Sequence, residues 1–386
     1  MTTPFVPPTY PFDRLAPLLR VADALEGGAV DLSIGTPCDP PPARVVEALS
    51  TSGAERGYPP ANGTRRLLDA AAGWLARRFA VALAPGQLAA CVGTKELVAG
   101  IPHWLRLRNP GRDVVLYPEV SYPTYAMGAL LAGARPVAVP LDAAGRMALD
   151  EVAPADAEAA LCLWVNSPSN PTGALEDLGR VAAWGRERGV LVCSDECYTE
   201  FTWDDRPRTI LEHGSAGVLA VHSVSKRSNA AGLRCGFYAG DGEVVSYLAE
   251  LRRHAGFMVP GRVQAGAAAA LEDDAHVFQQ RERYRRRLER LASVLEAAGI
   301  PVPLPGGGFY LWVPAGDDAL ARLRAGAAPG EAPGWALTRA LAERAGALVS
   351  PGEFYAVRAA GFVRIAVVQP DERLELVAAR LAAFSD

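Results

Sequence analysis

Seven short apolar runs between residues 89 and 239 constrain the fold more than any other feature of the sequence. Each run is rich in small or branched apolar residues, and several are apolar on both faces, as strands covered by helices on both sides tend to be. The runs occupy 89–92, 113–117, 136–140, 160–165, 190–194, 218–222 and 236–239. Segments of helical length and spacing lie between them, at 96–108, 122–132 and 174–188. This alternation predicts an α/β fold in which a mostly parallel seven-stranded sheet lies between helices.

The sequence beyond residue 240 has a different pattern. Long helical stretches such as 282–298 lead to a glycine-rich turn and a strand at 305–313, which predicts a smaller α+β domain. The Ala-, Gly- and Pro-rich segment 315–334 predicts a loop or an irregular insertion. The expected parts are an N-terminal arm with part of the small domain in 1–35, a large domain in 36–265 and a small C-terminal domain in 266–386.

Length and charge narrow the possible functions. The chain has 386 residues, of which 50% are hydrophobic, so it is long enough to bury two packed cores. Its 39 basic and 43 acidic residues give a net charge of −4 and no reason to expect nucleic acid as a partner. Arginines cluster in 281–290, but acidic residues interleave with them and leucines recur at core spacing. This cluster therefore predicts a solvated helix face.

Cysteine spacing and the N-terminal sequence bear on metals and location. The six cysteines form no CxxC pair, so we expect reduced core cysteines and no metal site. The N-terminus lacks a basic stretch followed by a long apolar segment, and no apolar run approaches the roughly 20 residues needed to cross a bilayer. These features predict a soluble cytoplasmic protein without a membrane partner.

One lysine follows a predicted strand in an unusual setting. Lys226 comes shortly after His222, the last residue of the 218–222 run, and thus lies at the carboxyl end of a strand, where open parallel sheets bind ligands. A lone lysine would most often be a surface residue. Here Ser223 and Arg234 flank it on a glycine-containing turn, and an arginine fork matches the oxygens of a phosphate. The segment therefore predicts an amine beside an anchored phosphate.

Three further turns carry polar residues directly after predicted strands. Asp195 follows one apolar run, and Tyr198 comes three residues later. Asn170 lies in the sequence N-P-T-G, and residues 93–95 join a strand to a helix, where backbone amides and a hydroxyl suit an anion. Plainer interpretations exist: the carboxylate could cap a turn, N-P-T-G could be only a turn, and the threonine could be a helix N-cap.

Two residues outside these turns also carry possible chemistry. Tyr122 follows another predicted strand and is either a core tyrosine or a ring available for stacking. Arg364 lies in the otherwise apolar segment 362–368, where a charge is costly unless it is paired. A buried carboxylate partner is therefore expected for Arg364, either from a ligand or in a structural salt bridge.

Together these motifs resemble the signature of a known family. S-x-x-K followed by G-x-R-x-G, with D-x-x-Y and N-P-T-G upstream, is similar to the class I and II aminotransferases of the aspartate aminotransferase superfamily, fold type I enzymes that use pyridoxal 5′-phosphate (PLP). The resemblance spans residues 33–368. It implies that Lys226 carries PLP as a Schiff base and moves the substrate α-proton. It also implies that Asp195 pairs with the pyridine nitrogen, while Tyr198 and Asn170 bond the phenolic oxygen.

The resemblance assigns the remaining site residues. Tyr122 would stack on the pyridine ring, and Tyr58 would reach the phosphate in the neighbouring subunit, which implies a homodimer with a shared active site. Arg364 would grip the substrate α-carboxylate, with Gly35, in a strand-then-turn segment at 33–37, close by. The implied catalytic residues are Lys226, Asp195 and Tyr198. The implied cofactor contacts are Gly93, Thr94, Lys95, Tyr122, Asn170, Asp195, Tyr198, Ser223, Lys226, Arg234 and Tyr58, and the implied substrate contacts are Gly35, Asn170 and Arg364.

A narrower resemblance concerns the substrate. The sequences G-T-K-E-L, S-P-S-N-P-T-G, S-D-E-C-Y, S-K-R-S-N, H-A-G-F-M-V-P and Q-R-E-R-Y look like actinobacterial succinyldiaminopimelate transaminases of lysine biosynthesis. The implied reaction is ping-pong: glutamate gives its amino group to PLP, and N-succinyl-2-amino-6-oxopimelate then takes it from pyridoxamine phosphate. Gly261 and Arg262 stand where smaller residues such as Ala and Pro are expected. These departures leave the residues of the distal substrate pocket unassigned. Lys95 and Arg262 are the candidate cations there.

Three alternatives remain at this point. The chain could be an aminotransferase for another amino acid or a PLP-dependent carbon–sulfur lyase, because these enzymes share nearly the same catalytic set. The third alternative is a PLP-binding transcription regulator without turnover. Such regulators carry an additional DNA-binding domain, and we expect no room for one before residue 33.

Overall fold

The computed structural model describes residues 4–54, 56–300 and 302–383. Two compact units are present. The larger unit comprises 36–285 and 305–309, and the smaller unit comprises the residues up to 35, 286–304 and those from 310 onward. The domain boundaries predicted from the sequence stay a prediction.

The strands form one large sheet and two small ones. The strands are β1 Val30–Asp31, β2 Leu88–Cys91, β3 Val114–Pro118, β4 Arg135–Val139, β5 Ala160–Asn166, β6 Leu191–Asp195, β7 Val218–Ser223, β8 Gly236–Gly240, β9 Tyr310–Pro314, β10 Ala347–Leu348, β11 Ser350–Pro351 and β12 Phe362–Ala366. The large sheet has the order β2-β8-β7-β6-β5-β3-β4, and β8 alone runs antiparallel to its neighbours. In the smaller unit, β11, β12 and β9 form an antiparallel sheet, and β1 pairs with β10 in parallel.

The α-helices surround these sheets. They are α1 Ala16–Asp23, α2 Ala43–Ser50, α3 Arg65–Phe79, α4 Thr94–Arg108, α5 Thr124–Leu131, α6 Pro154–Glu158, α7 Leu178–Arg188, α8 Val224–Arg227, α9 Gly242–His254, α10 Gly261–Leu271, α11 Ala275–Ala297, α12 Asp317–Arg322, α13 Pro333–Ala345 and α14 Asp371–Ala382.

The predicted α/β fold with a mostly parallel seven-stranded sheet is confirmed. Each of the seven apolar runs is a strand of the large sheet, with ends that differ from the prediction by at most one residue. Strand β5 shows why both faces of the central strands are apolar. Leu163 and Val165 belong to the core on one face of the sheet, whereas Cys162 and Trp164 belong to the core on the other.

Local capping explains where one helix differs from its predicted start. The pattern predicts a helix from residue 174, but α7 begins at Leu178. The Asp177 side chain accepts a hydrogen bond from the backbone N–H of Arg180 at 3.0 Å and thus acts as the N-cap. The N-cap of Asp177 therefore sets the start of α7, although the apolar spacing predicts an earlier start.

Two local predictions are wrong. The segment 315–334 is not a loop throughout, because it contains α12. Asp317 and Asp318 lie in the first turn of that helix, where the helix dipole favours acids, and Leu320 is buried. The segment 33–37 contains no strand, because β1 ends at Asp31. The Asp31 carboxylate accepts hydrogen bonds from the backbone and hydroxyl of Ser33 at 2.8 and 2.6 Å, which turns the chain.

The arginine cluster of α11 is only partly a solvated face. Arg283, Arg286 and Arg290 are exposed as expected, and Arg290 pairs with Glu375 through two hydrogen bonds. Arg287 differs, since it is 5% exposed and its Nε lies 2.6 Å from an Asp371 oxygen.

The cysteines and the helices bear on the expectations about metals and membranes. All six cysteines are free thiols, and the buried ones are Cys91, Cys162, Cys193 and Cys235. The predicted core position is wrong for Cys38, which is exposed. In the described part of the chain, no cluster of three or more His, Cys, Asp or Glu side chains is arranged to hold a metal ion. Within the same residues, no helix has the length and apolar character needed to span a membrane.

Candidate active site

The carboxyl ends of β5, β6 and β7 bring three of the sequence motifs side by side in the larger unit. These strands are parallel neighbours, and Asn166 at the end of β5 pairs in register with Asp195 at the end of β6. Ser223 ends β7, and the four-residue helix α8, which contains Lys226, follows it at once. Ligands of open α/β sheets bind at this edge because the strand ends and following turns face a common crevice.

Asp195 is a buried carboxylate with donors on both oxygens. It is 8% exposed, and its Oδ2 accepts a hydrogen bond from the Tyr125 hydroxyl at 2.9 Å. The Cys197 backbone N–H donates to Oδ1 at 3.3 Å. Burial raises the pKa of Asp195, although the contacts with Cys197 and Tyr125 and the charge of Lys226 lower it. Such a carboxylate is suited to a cationic hydrogen-bond donor from a ligand.

Asn166 and Tyr125 are two residues that sequence reasoning missed. The Asn166 amide donates to the backbone oxygen of Asp195 at 2.8 Å, and its oxygen accepts from the Asn170 backbone N–H at 2.7 Å. It therefore ties the N-P-T-G turn to the strand that ends in Asp195. Both residues had a signal in the sequence: Asn166 begins the motif after the apolar run, and Tyr125 lies three residues after Tyr122.

Lys226 lies half-buried beside an aromatic cluster. Its Nζ is 6.0 Å from the centroid of the Phe309 ring, and the Tyr198 ring packs edge-on against the same ring at 5.3 Å. The Ser223 hydroxyl caps α8 by accepting from the Ser225 backbone N–H at 3.0 Å. The chain has only two lysines, Lys95 and Lys226. Lysine amine chemistry is therefore confined to these two side chains.

The turn between β2 and α4 forms a cradle for an anion. Gly93 has φ +74°, and a Cβ at this position would lie 2.3 Å from Nη2 of Arg234. Only glycine lets the guanidinium lie so close to this backbone. Thr94 begins the 15-residue helix α4, and its hydroxyl accepts a hydrogen bond from the Cys197 thiol at 3.4 Å. A helix N-terminus beside a guanidinium is a donor set that suits a phosphate.

Tyr122, Lys95 and Tyr58 lie nearer the surface. The Tyr122 ring is half-buried and packs edge-on against Tyr125, with centroids 6.3 Å apart. The Nζ of Lys95, an exposed side chain, is 5.7 Å from the Tyr122 ring centroid. Tyr58 is 93% exposed. The geometry thus joins Tyr122 to the Asp195 network through Tyr125, whereas the role of Tyr58 toward another subunit stays a prediction.

The two predicted substrate residues of the smaller unit are close to common neighbours. Arg364 on β12 is 2% exposed, donates from Nη2 to the backbone oxygen of Ser33, and has its guanidinium carbon 4.2 Å from the Tyr310 ring centroid. Gly35 is held against the same tyrosine, because a Cβ there would lie 2.0 Å from the Tyr310 hydroxyl. The partners of Arg364 thus include a carbonyl and an aromatic ring. Its role toward a substrate stays a prediction.

Comparison with known proteins decides the family. The family model for aminotransferase class I and II matches residues 28–381, nearly the whole chain. This chain belongs to the class I and II aminotransferases. The aminotransferase is 41% identical, over 97% of its length and 99% of the relative, to the 4-dedimethylamino-4-oxo-anhydrotetracycline transaminase OxyQ of Streptomyces rimosus.

Two further relatives show how widely the likeness extends. The aminotransferase is 35% identical to an LL-diaminopimelate aminotransferase of Desulforudis audaxviator, over 95% of this chain and 93% of the relative. Its fold is similar to the crystal structure of an aminotransferase from Neisseria meningitidis, with a TM-score of 0.85, 27% identity and 98% of both chains covered.

PLP, the cofactor of this family, fits the residues that the larger unit brings together. The Gly93 cradle, the Thr94 hydroxyl and Arg234 would hold the phosphate, and Asp195 offers a buried carboxylate to the ring nitrogen. Lys226 supplies the amine. Bound PLP supplies an electron sink for the pair of electrons left when an amino acid loses its α-proton. The fit rests on the chemistry of these groups. The guanidinium and the backbone amides suit the phosphate, the carboxylate suits the ring nitrogen, and the amine suits the aldehyde.

A buried Glu–His pair of the aminotransferase lies next to Asp195 and Ser223 in the sequence. Glu196 is 1% exposed, its Oε1 accepts from the Ser194 hydroxyl at 2.8 Å, and its Oε2 lies 3.2 Å from Nε2 of His222. Burial raises the pKa of Glu196 to about 8 and lowers that of His222 to about 3. Both groups are therefore neutral at pH 7, because desolvating two charges costs more than their attraction returns.

This pair predicts a fall in stability above pH 6.5. Unfolded Glu and His titrate near 4.5 and 6.5, so only the folded state keeps a proton on the pair between pH 6.5 and about 8. The free energy of unfolding should fall there with a limiting slope of about 1.4 kcal/mol per pH unit. Glu196→Gln should remove this fall. Urea unfolding of both proteins from pH 6.5 to 8.5 measures it, and parallel pH profiles would contradict it.

Proposed function

We propose that this aminotransferase transfers the amino group of glutamate to N-succinyl-2-amino-6-oxopimelate. The products are N-succinyl-LL-2,6-diaminopimelate and 2-oxoglutarate, and the reaction is a step of lysine and diaminopimelate biosynthesis. The short motifs of the sequence support this substrate, as does the likeness to an LL-diaminopimelate aminotransferase over 95% of the chain.

The observation that carries the substrate proposal is the position of Lys95. The substrate has carboxylates besides its α-carboxylate, and a cation near the ring-stacking position would bind one of them. Lys95 places its ammonium 5.7 Å from the Tyr122 ring centroid and adjoins Thr94 of the phosphate cradle. Arg262, the other candidate, lies in the first turn of α10 and is exposed, as Lys95 is, so the choice rests on the place of Lys95 beside the cradle and the Tyr122 ring. We therefore assign the distal carboxylate to Lys95.

The proposed catalytic roles are those that the family resemblance implies, and the neighbouring strand ends of the larger unit support them. We propose that the Lys226 amine would move a proton between the substrate α-carbon and the cofactor side, taking it from the α-carbon of glutamate in the first half-reaction and giving it to the α-carbon of the new amino acid in the second. Asp195 would keep the ring nitrogen of bound PLP protonated, and the Tyr198 hydroxyl and Asn170 amide would donate to its phenolic oxygen. Arg364 of the smaller unit is the proposed partner of the α-carboxylate, where its planar fork would bind both oxygens.

Replacing Lys95 by methionine tests the substrate assignment. Methionine keeps the unbranched stem but removes the charge, and one charged hydrogen bond contributes about 1.5–3 kcal/mol. KM for N-succinyl-LL-2,6-diaminopimelate should rise by about 10- to 100-fold, with kcat changed far less. The matched variant Arg262→Met should leave KM within about 3-fold of the parent. Steady-state kinetics of both variants checks this, and the reverse pattern would move the assignment to Arg262.

A second substrate class is favoured by one specific observation. The aminotransferase is 41% identical to OxyQ over 384 residues, and that name gives an oxo-anhydrotetracycline as its substrate. A polycyclic ketone is therefore the alternative amino acceptor. Amino-acceptor assays with glutamate as donor separate the two classes. Turnover of a polycyclic ketone, with no turnover of the succinylated oxo acid, would replace the first proposal while leaving the family assignment intact.

The quaternary state is proposed on different grounds. We propose a homodimer in which Tyr58 of each subunit reaches the phosphate of the other, and the 93% exposure of this large ring in the single chain supports the idea. A cytoplasmic location stays a prediction of the sequence.

A further inference from the structure

An ion pair between a buried arginine and a partly buried glutamate lies behind the phosphate cradle. Arg252 on α9 is 0% exposed, and its Nη1 and Nη2 donate to the two carboxylate oxygens of Glu96 at 2.9 and 2.5 Å. The guanidinium carbon lies 5.3 Å from the Trp104 ring centroid and 5.1 Å from that of Phe257. The two hydrogen bonds, together with the aromatic rings that pack against the guanidinium, hold the carboxylate in one position.

Glu96 connects this pair to the cradle itself. It lies in the first turn of α4, two residues after Thr94, and its Oε1 also accepts the backbone N–H of Val92 at 2.9 Å. The carboxylate therefore reaches back across the turn that contains Gly93. With both ends of the turn tied to one carboxylate, the backbone amides at the start of α4 keep a fixed direction.

The charge of the pair matters as much as its geometry. A carboxylate in the first turn of α4 lies close to the place where the phosphate would bind, and two like charges there would repel each other. Arg252 balances the negative charge of Glu96 within hydrogen-bond distance. The pair thus orients the turn without adding a net negative charge beside the anion.

We propose that Glu96 and Arg252 are positioning residues that pre-organise the Gly93–Thr94 turn for the phosphate of PLP. Neither residue touches the reacting atoms in this role. The inference rests on the cofactor of the family and is independent of the proposed amino acceptor. An aminotransferase with a different substrate would need the same two positioning residues.

The test compares the affinity for PLP with the affinity for pyridoxal, which has the same aldehyde and ring but no phosphate. The variant is Glu96→Leu combined with Arg252→Met, because removing both charges leaves no unpaired buried ion. The matched control, Arg66→Met with Glu272→Leu, removes another ion pair of the larger unit, whose two hydrogen bonds are both 3.0 Å long. Full-length proteins freed of cofactor are titrated with each aldehyde and followed by visible absorption.

We expect the double variant to bind PLP about 10- to 100-fold more weakly, with pyridoxal affinity within about 3-fold of the parent. The control should keep both affinities. Equal losses for PLP and pyridoxal would show a merely structural pair and overturn the proposal, as would unchanged PLP affinity. Arg252→Lys gives a second test that keeps the charge, and it should lower the PLP-to-pyridoxal affinity ratio by a smaller factor. An unchanged ratio in this variant would also count against the proposal.

Discussion

Replacing Lys226 by alanine is expected to lower kcat by at least about 10⁴-fold, because one side chain supplies both the cofactor linkage and the proton transfer. The fold should persist, since the half-buried Lys226 side chain adds little to the core. The visible absorption of the linked cofactor should also be lost. Single-turnover assays with glutamate, together with absorption spectra, measure both effects.

A matched variant separates amine chemistry from charge at this position. Lys226→Arg keeps a cation, but a guanidinium stays protonated and cannot act as a base near neutral pH. It should be as inactive as the alanine variant. Added methylamine should restore part of the activity only to Lys226→Ala, where space for a small amine exists. Turnover at the parent rate in either variant would contradict the role of Lys226.

Replacing Asp195 by asparagine is expected to lower kcat by about 10²- to 10³-fold, the usual loss when one preorganised electrostatic partner of the reacting group is removed. Asparagine keeps the shape and one oxygen that can accept from Tyr125, but it lacks the charge that holds a proton on the ring nitrogen. PLP should still bind, because the phosphate cradle is unchanged. The kcat of PLP-saturated enzyme and the PLP affinity are the two measurements.

Tyr125→Phe provides the graded control for Asp195. The Tyr125 hydroxyl lowers the pKa of this carboxylate, and its loss should therefore raise that pKa further. The carboxylate would then take up a proton at higher pH, and the acid side of the pH–rate profile should shift toward neutral. The loss in kcat should be about 10-fold or less. An equal loss of kcat in the two variants would show that turnover depends on the Tyr125 hydroxyl and not on the Asp195 charge.

The sequence predicts the large sheet well because the chemistry of its strands is simple. Central parallel strands are covered on both faces, so their residues are apolar at consecutive positions, as in β5 and β7, which are buried along their whole lengths. Short amphipathic pieces are harder. Helix α12 lies in an Ala- and Gly-rich segment whose composition favours a loop, and its acidic first turn and the buried Leu320 are too short a signal to overcome that.

The candidate site is predictable to the extent that its residues follow strand ends in recognisable motifs. Asp195, Ser223 and Lys226 are brought together because their strands are neighbours, which the order of the motifs already suggests. Contacts between remote segments are different. Arg252 bonds Glu96 across 156 positions of sequence, and neither residue belongs to a motif that marks the pairing. Only the packing of α9 against the start of α4 reveals it.

Covalent mapping of the cofactor tests the central claim most directly. Borohydride reduction of the PLP-loaded aminotransferase fixes the cofactor to the lysine that holds it, and the chain offers only Lys95 and Lys226. After trypsin digestion these lie in the peptides 79–106 and 209–227, since a modified lysine is not cleaved. Mass spectrometry should find the reduced cofactor on the peptide 209–227, in an amount equal to the bound PLP. Its attachment to the peptide 79–106, or to neither peptide, would contradict the account of this site.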